Sequence, residues 1–121
     1  MLRNLLLMVV FVCICAAGAA AQTLLTGEFN GEPDKDGWSL NGGTGERTYI
    51  EEVTFEKAFT VPPRVLVSLS GYEATAGPDG TSRVHATAFR VTKTGFTLRV
   101  KTWGDGRVGL VWGNWIAVGV K

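Results

Sequence analysis

An all-β chain is expected here, an antiparallel β-sandwich of about six strands. Alternation is the first sign. Between Tyr49 and Val120, apolar and polar residues trade places in short runs, the pattern of half-buried strands. Punctuation is the second. Pro62-Pro63, Gly77-Pro78-Asp79-Gly80, Thr94-Gly95 and Asp105-Gly106 break the runs at turn-forming residues. The third is size. The part of the chain from Gln22 to Lys121 is large enough for one sandwich and too small for two domains.

The first 21 residues are expected to be a secretory signal rather than part of the fold. Met1 to Asn4 is a short basic start, Leu5 to Cys15 is apolar, and Ala19-Ala20-Ala21 offers a cleavage site before Gln22. The apolar run is shorter than the roughly 20 residues of a membrane span. Cleavage after Ala21 would remove both cysteines, Cys13 and Cys15, so the secreted chain would carry no disulfide framework. It would also remove Arg3, leaving 12 − 1 = 11 basic residues against 11 acidic ones. A balanced chain does not favour nucleic acid or an anionic membrane as partner.

Thr23 to Phe29 is a candidate first strand, and Asn30 to Gly37 reads as a loop rich in Gly, Pro and Asp. Trp38-Ser39-Leu40 is an apolar island. Asn41 to Gly45 is a second loop whose glycines permit positive φ. Tyr49 to Phe59 is a strand with Val53 and Phe55 on one parity. Pro62-Pro63 cannot donate ladder hydrogen bonds, so a new strand begins at Arg64 and runs to Tyr72. Ser82 to Lys93 and Phe96 to Trp103 flank Thr94-Gly95, expected as a two-residue hairpin with Gly95 at positive φ. That register sets Val91 against Leu98 and Phe89 against Val100 on the core face. It leaves Ala86, Ala88, Arg90 and Thr92 on a polar face with Thr97, Arg99, Lys101 and Trp103. Asp105-Gly106 then turns into a last strand from Arg107 to Val120.

In that strand both parities are apolar. Leu110, Trp112, Ile116 and Val118 alternate with Val111, Trp115 and Ala117. One face belongs to the core, and the other suggests a subunit interface.

Enzyme chemistry finds little support. His85 has no cysteine or carboxylate cluster beside it, and Ser68, Ser70 and Ser82 lack a nucleophile-elbow context. Glu51 and Glu52 are adjacent on a strand and point to opposite faces. Asp34-x-Asp36-Gly37 lacks the later carboxylates of a calcium loop, so no metal and no cofactor are expected. A sugar site needs a planar side chain for the apolar ring face and fixed polar groups for the hydroxyls. Trp103 and Arg83 are candidates of those types.

The order Pro62-Pro63-Arg64-Val65, then Thr92-Lys93-Thr94-Gly95-Phe96, then Thr102-Trp103 resembles the H-type lectin domain, the module of snail agglutinins and of the C-terminal half of discoidins. The resemblance spans roughly Trp38 to Gly119. It implies a carbohydrate-binding protein, a homotrimer or dimer of trimers, with glycan sites between subunits. By this resemblance Arg83 binds sugar hydroxyls, and Trp103 packs on the sugar from a neighbouring subunit. Gly42, Thr44 and Glu46 belong to the loop that supplies backbone and an acidic side chain. Trp38 and Trp115 fall in the core. Three positions depart from the N-acetylgalactosamine and galactose binders. Gly104 stands where a polar residue follows the tryptophan, Val108 or Gly109 replaces a later aromatic, and Thr44 aligns nearest the loop acid. The rival reading is a structural or protein-binding sandwich that has lost sugar binding.

Overall fold

The computed structural model describes residues 21–120, and the expected signal segment lies outside them except for Ala21. Six strands follow in order: β1 Thr23–Gly31, β2 Arg47–Thr54, β3 Arg64–Thr75, β4 His85–Phe89, β5 Gly95–Thr102 and β6 Arg107–Gly119. They form two three-stranded antiparallel sheets, β1-β6-β3 and β2-β5-β4. No helix occurs among the described residues. The expected sandwich is what forms.

β6 is the centre of the first sheet; its alternation is regular from Val111 to Ala117 and is interrupted at Gly109, where the pairing with β3 shifts register. Val108, Val111, Trp115 and Ala117 are buried on one side. β5 is the centre of the second sheet, with Phe96, Leu98 and Val100 buried. The inward sides of these two strands, with Phe29, Leu40, Tyr49, Phe55 and Phe59, make one core between the sheets. Trp115 spans it. Its ring centroid lies 5.3 Å from that of Phe96 and 5.8 Å from that of Phe55. Edge and tilted ring contacts of this kind add to the area that each ring removes from water. Gly113 in β6 is needed for a close approach, since the Phe29 ring of β1 lies where its Cβ would stand. Trp38 packs partly buried against the same core, its ring 5.2 Å from that of Tyr49.

The Pro62-Pro63 break falls where expected, and β3 begins at Arg64. β2 is shorter than the expected Tyr49 to Phe59, because the chain leaves the sheet after Thr54. Phe55 and Phe59 still reach the core from the connecting segment. Their amides donate to the carbonyls of Thr94 at 2.8 Å and Lys93 at 2.9 Å, so the bend is tied to the start of β5. β3 runs past Tyr72 to Thr75, with register shifts between Leu69 and Gly71 and between Glu73 and Ala74.

The hairpin between β4 and β5 corrects the expected register. Ala88 faces Leu98 and Ala86 faces Val100, while Phe89 faces Thr97. β4 ends at Phe89, so the connection is residues 90–94 rather than Thr94-Gly95 alone. The positive-φ residue is Arg90, at 51°, and not Gly95. Gly95 is needed for another reason: the Val53 carbonyl of β2 occupies the space of a Cβ. The left-handed Arg90 breaks the alternation. Ala86 and Ala88 therefore pack on the core, Val91 returns to it after the break, and Phe89 turns outward. The parity of β5 is as expected, with Thr97, Arg99, Lys101 and Trp103 on the outer side.

Candidate functional site

The candidate residues gather at one end of the sandwich because three connections meet there. These are residues 41–46 before β2, residues 76–84 before β4, and residues 103–106 between β5 and β6. Gly43 and Gly45 take φ of 73° and 76°, and Gly104 takes 80°, a conformation that side-chain-bearing residues rarely adopt. These turns bring two loops far apart in sequence into contact. The Gly45 amide donates to the Gly104 carbonyl at 3.0 Å.

Arg47, at the first position of β2, was not visible as a site residue. Its guanidinium donates to five carbonyls. Nη1 reaches Gly42 at 2.6 Å and Gly43 at 3.1 Å, and Nε reaches Gly45 at 3.0 Å. Nη2 reaches Gly104 at 2.9 Å and Gly106 at 2.8 Å. A planar fork with five donors suits this task, whereas a lysine could not satisfy it. Arg47 thus fixes the loop holding Gly42, Thr44 and Glu46 against the loop holding Gly104. The only hint in the sequence is an arginine directly after a glycine-rich loop, which has many commoner explanations.

Arg83 lies on Gly104. A Cβ added there would stand 2.6 Å from Arg83 Nη1, so the guanidinium fills the place of a side chain at position 104. Arg83 Nη2 donates to Asp79 Oδ2 at 2.9 Å, and the Thr81 amide donates to Asp79 Oδ1 at 3.0 Å. The hydrogen bond from Arg83, followed by that from the Thr81 amide, holds the Asp79 carboxyl below its ordinary range. Asp79 therefore orients the arginine.

Trp103 is 40% exposed on the outer side of β5's end, a free planar surface of the kind a sugar ring packs on. Lys101 Nζ sits 5.6 Å from the centroid of its ring and 3.8 Å from Glu46 Oε2. One chain therefore brings Arg83, Gly104, Trp103, Lys101 and Glu46 together. Thr44 is exposed at the loop tip, and among the described residues its side chain makes no hydrogen bond. Of the two positions that could match the missing aromatic, Val108 is buried, so the gap falls at Gly109. Gly109 opens onto a groove of about 400 Å³ with Asn41, Glu73 and Arg107.

The H-type lectin domain family matches residues 50–118 of this chain. The chain belongs to that family, and its fold is a carbohydrate-binding lectin fold. Among curated proteins it is 38% identical over 84 residues to the protein "ATP synthase subunits region ORF 7" of Fuscovulum blasticum, covering 69% of this chain and 71% of that one. Among solved structures it is similar to wild-type discoidin II of Dictyostelium discoideum, with a TM-score of 0.74 and 28% identity over 84% of this chain. A second discoidin II structure gives a TM-score of 0.72 and 27% identity over 83% of the chain. The chain spans 38% of the length of discoidin II. Family and fold favour a binding protein over an enzyme.

Proposed function

We propose that this chain is a secreted, multivalent lectin that binds glycans at its loop end, at sites completed between subunits. The observation that carries the proposal is the juxtaposition of a fixed guanidinium, Arg83, with an exposed indole, Trp103, beside the loop braced by Arg47. Arg83 offers donors to sugar hydroxyls, and Trp103 offers a face for the apolar side of the ring. Secretion is inferred from residues 1–21, and a galactose-type ligand from the family pattern.

The second reading, a protein-binding or structural sandwich without sugar affinity, draws on Gly104. With Arg83 packed on it, that position contributes no polar side chain. Titration against surface-bound glycans separates the two readings. A monosaccharide of about 12 to 15 heavy atoms at roughly −0.3 kcal/mol each gives a dissociation constant near millimolar. Clustered glycans then gain about 10²–10⁴ in avidity. Arg83→Ala is expected to cost about 1.5–3 kcal/mol of binding, the range for a charge-assisted hydrogen bond. Trp103→Ala should weaken binding with the subunit still folded. Full binding in both variants would remove this site and leave the second reading.

Multivalency is attributed to the outer face of the β1-β6-β3 sheet. Leu24, Leu66, Ile116 and Trp112 are exposed there at 61%, 59%, 36% and 41%. The register sets Leu66 beside Ile116, and Ile116 beside Thr26. Leu24, Leu66 and Ile116 form an apolar group, separated from Trp112 by Glu28, Asn114 and Ser68 on the same face. Exposed apolar side chains in this number on a small domain are the kind of surface a second copy covers. Replacing Trp112 by Asp should dissociate the oligomer, expected as a trimer, in light scattering. An unchanged oligomer mass would take Trp112 out of the interface.

A further inference from the structure

The corrected register leaves one large apolar side chain unexplained. Phe89 points outward from the β2-β5-β4 sheet, on a face otherwise made of polar and charged residues apart from Ile50 and, at the end of β5, Trp103. Two guanidiniums cover its ring. Arg90 Cζ lies 5.3 Å from the centroid and Arg99 Cζ lies 5.0 Å from it. Attraction to the ring accounts for each cation singly. It does not account for bringing two like charges to one ring when neither has a carboxylate partner among the described residues. Arg99 Nε is also buried without a hydrogen bond. Such a donor costs free energy unless something accepts from it.

The carboxylates that could have paired with these arginines are turned elsewhere. Glu52 accepts from Thr97 Oγ1 at 3.0 Å through each of its oxygens. Glu46 lies against Lys101. His85 and Lys101 continue the same face beyond Arg99. Arg90 also holds the one positive φ among described non-glycine residues. Strain of this kind is common where a side chain must be aimed. Next to it runs a groove of about 280 Å³ lined by Arg90, Thr92, Thr94 and Thr97, with hydroxyls on its walls, and by Glu52, whose carboxylate is held by the Thr97 hydroxyl.

We propose that Arg90 and Arg99, spread across Phe89, form a second site for an oxyanion carried by an acidic polysaccharide, a sulfate or a carboxylate. Two guanidiniums gathered at one ring offer the forked donors that such groups accept, and the threonine groove suits neighbouring sugar hydroxyls. The site lies on the same outer face of the β2-β5-β4 sheet as Trp103, on the Phe89 side of Lys101, and uses neither Arg83 nor Trp103. The near balance of charge over the whole chain argues against general attraction to polyanions, so binding would have to come from this patch.

The test is titration of the full chain at low salt with dextran sulfate, polygalacturonate, neutral dextran and polyglutamate. Retention of at least one acidic polysaccharide, with neutral dextran ignored, is the expected result. Arg90→Gln with Arg99→Gln should weaken it about tenfold and make its salt dependence shallower by about two charges. Lys57→Gln with Arg64→Gln removes the same charge elsewhere and should leave it intact. The polymer retained tells sulfate from carboxylate. Four results would each overturn the proposal: no binding by the unaltered protein, equal binding by the Arg90 and Arg99 double variant, equal loss in the charge control, or equally tight binding of polyglutamate.

Discussion

Trp115→Ala is expected to destabilise the fold by about 3–5 kcal/mol, the range for removing a buried tryptophan. The indole is only 8% exposed and joins the sheets, touching Phe96 of β5 and the Phe55 that follows β2. It also rests on Gly27 of β1, where a Cβ would collide with its ring. Its loss empties the middle of a core made of rigid strands, which cannot collapse fully onto the gap. A domain of this size has about 5–15 kcal/mol in total. At about 4–8 °C per kcal/mol, the melting temperature should fall by roughly 12–40 °C. Circular dichroism melts, with urea titration to confirm the free energy, check this. A loss under about 1 kcal/mol would mean that the indole is not what holds the sheets together.

Arg47→Met should cost about 3 kcal/mol, less than five separate charge-assisted bonds would suggest. The bonds share one cation and are not additive, and water can take over the more exposed carbonyls of Gly43 and Gly45. Gly42, Gly104 and Gly106 are more enclosed and lose most. Arg47→Lys keeps the charge but not the fork, so it should recover under half of the loss. The local signature is as important as the total. Amide exchange at Gly45, whose N–H is held by Gly104, should accelerate far more than exchange in the β6 centre. If both regions accelerate equally, Arg47 supports the whole sandwich and not the contact between loops.

Much of the fold could be read from local pattern. The inward and outward sides of β6 follow from period-two alternation, and Val111, Trp115 and Ala117 are buried as that alternation requires while Trp112 and Ile116 stay exposed. The start of β3 follows from the missing N–H groups of Pro62-Pro63. The loop glycines Gly43 and Gly45 take positive φ in a stretch where only their residue type suggested it. The residue types at the candidate site, Arg83 and Trp103, were legible through the order of motifs around them.

Tertiary structure decided two things. One is the pairing of β4 with β5. A hairpin register depends on the turn conformation, and a left-handed Arg90 is not announced by an arginine in the sequence. That single dihedral moved Phe89 to the outer face and Ala86 and Ala88 to the core, since a register shift by an odd number of residues exchanges the faces of a strand. The other is the role of Arg47. Two of its acceptors lie 57 and 59 residues away, and backbone carbonyls leave no trace in the identity of the residues that bear them. Alternation reports which side of a strand meets the core. Which strands meet, and which carbonyls a guanidinium finds when loops converge, is settled only when the chain has folded.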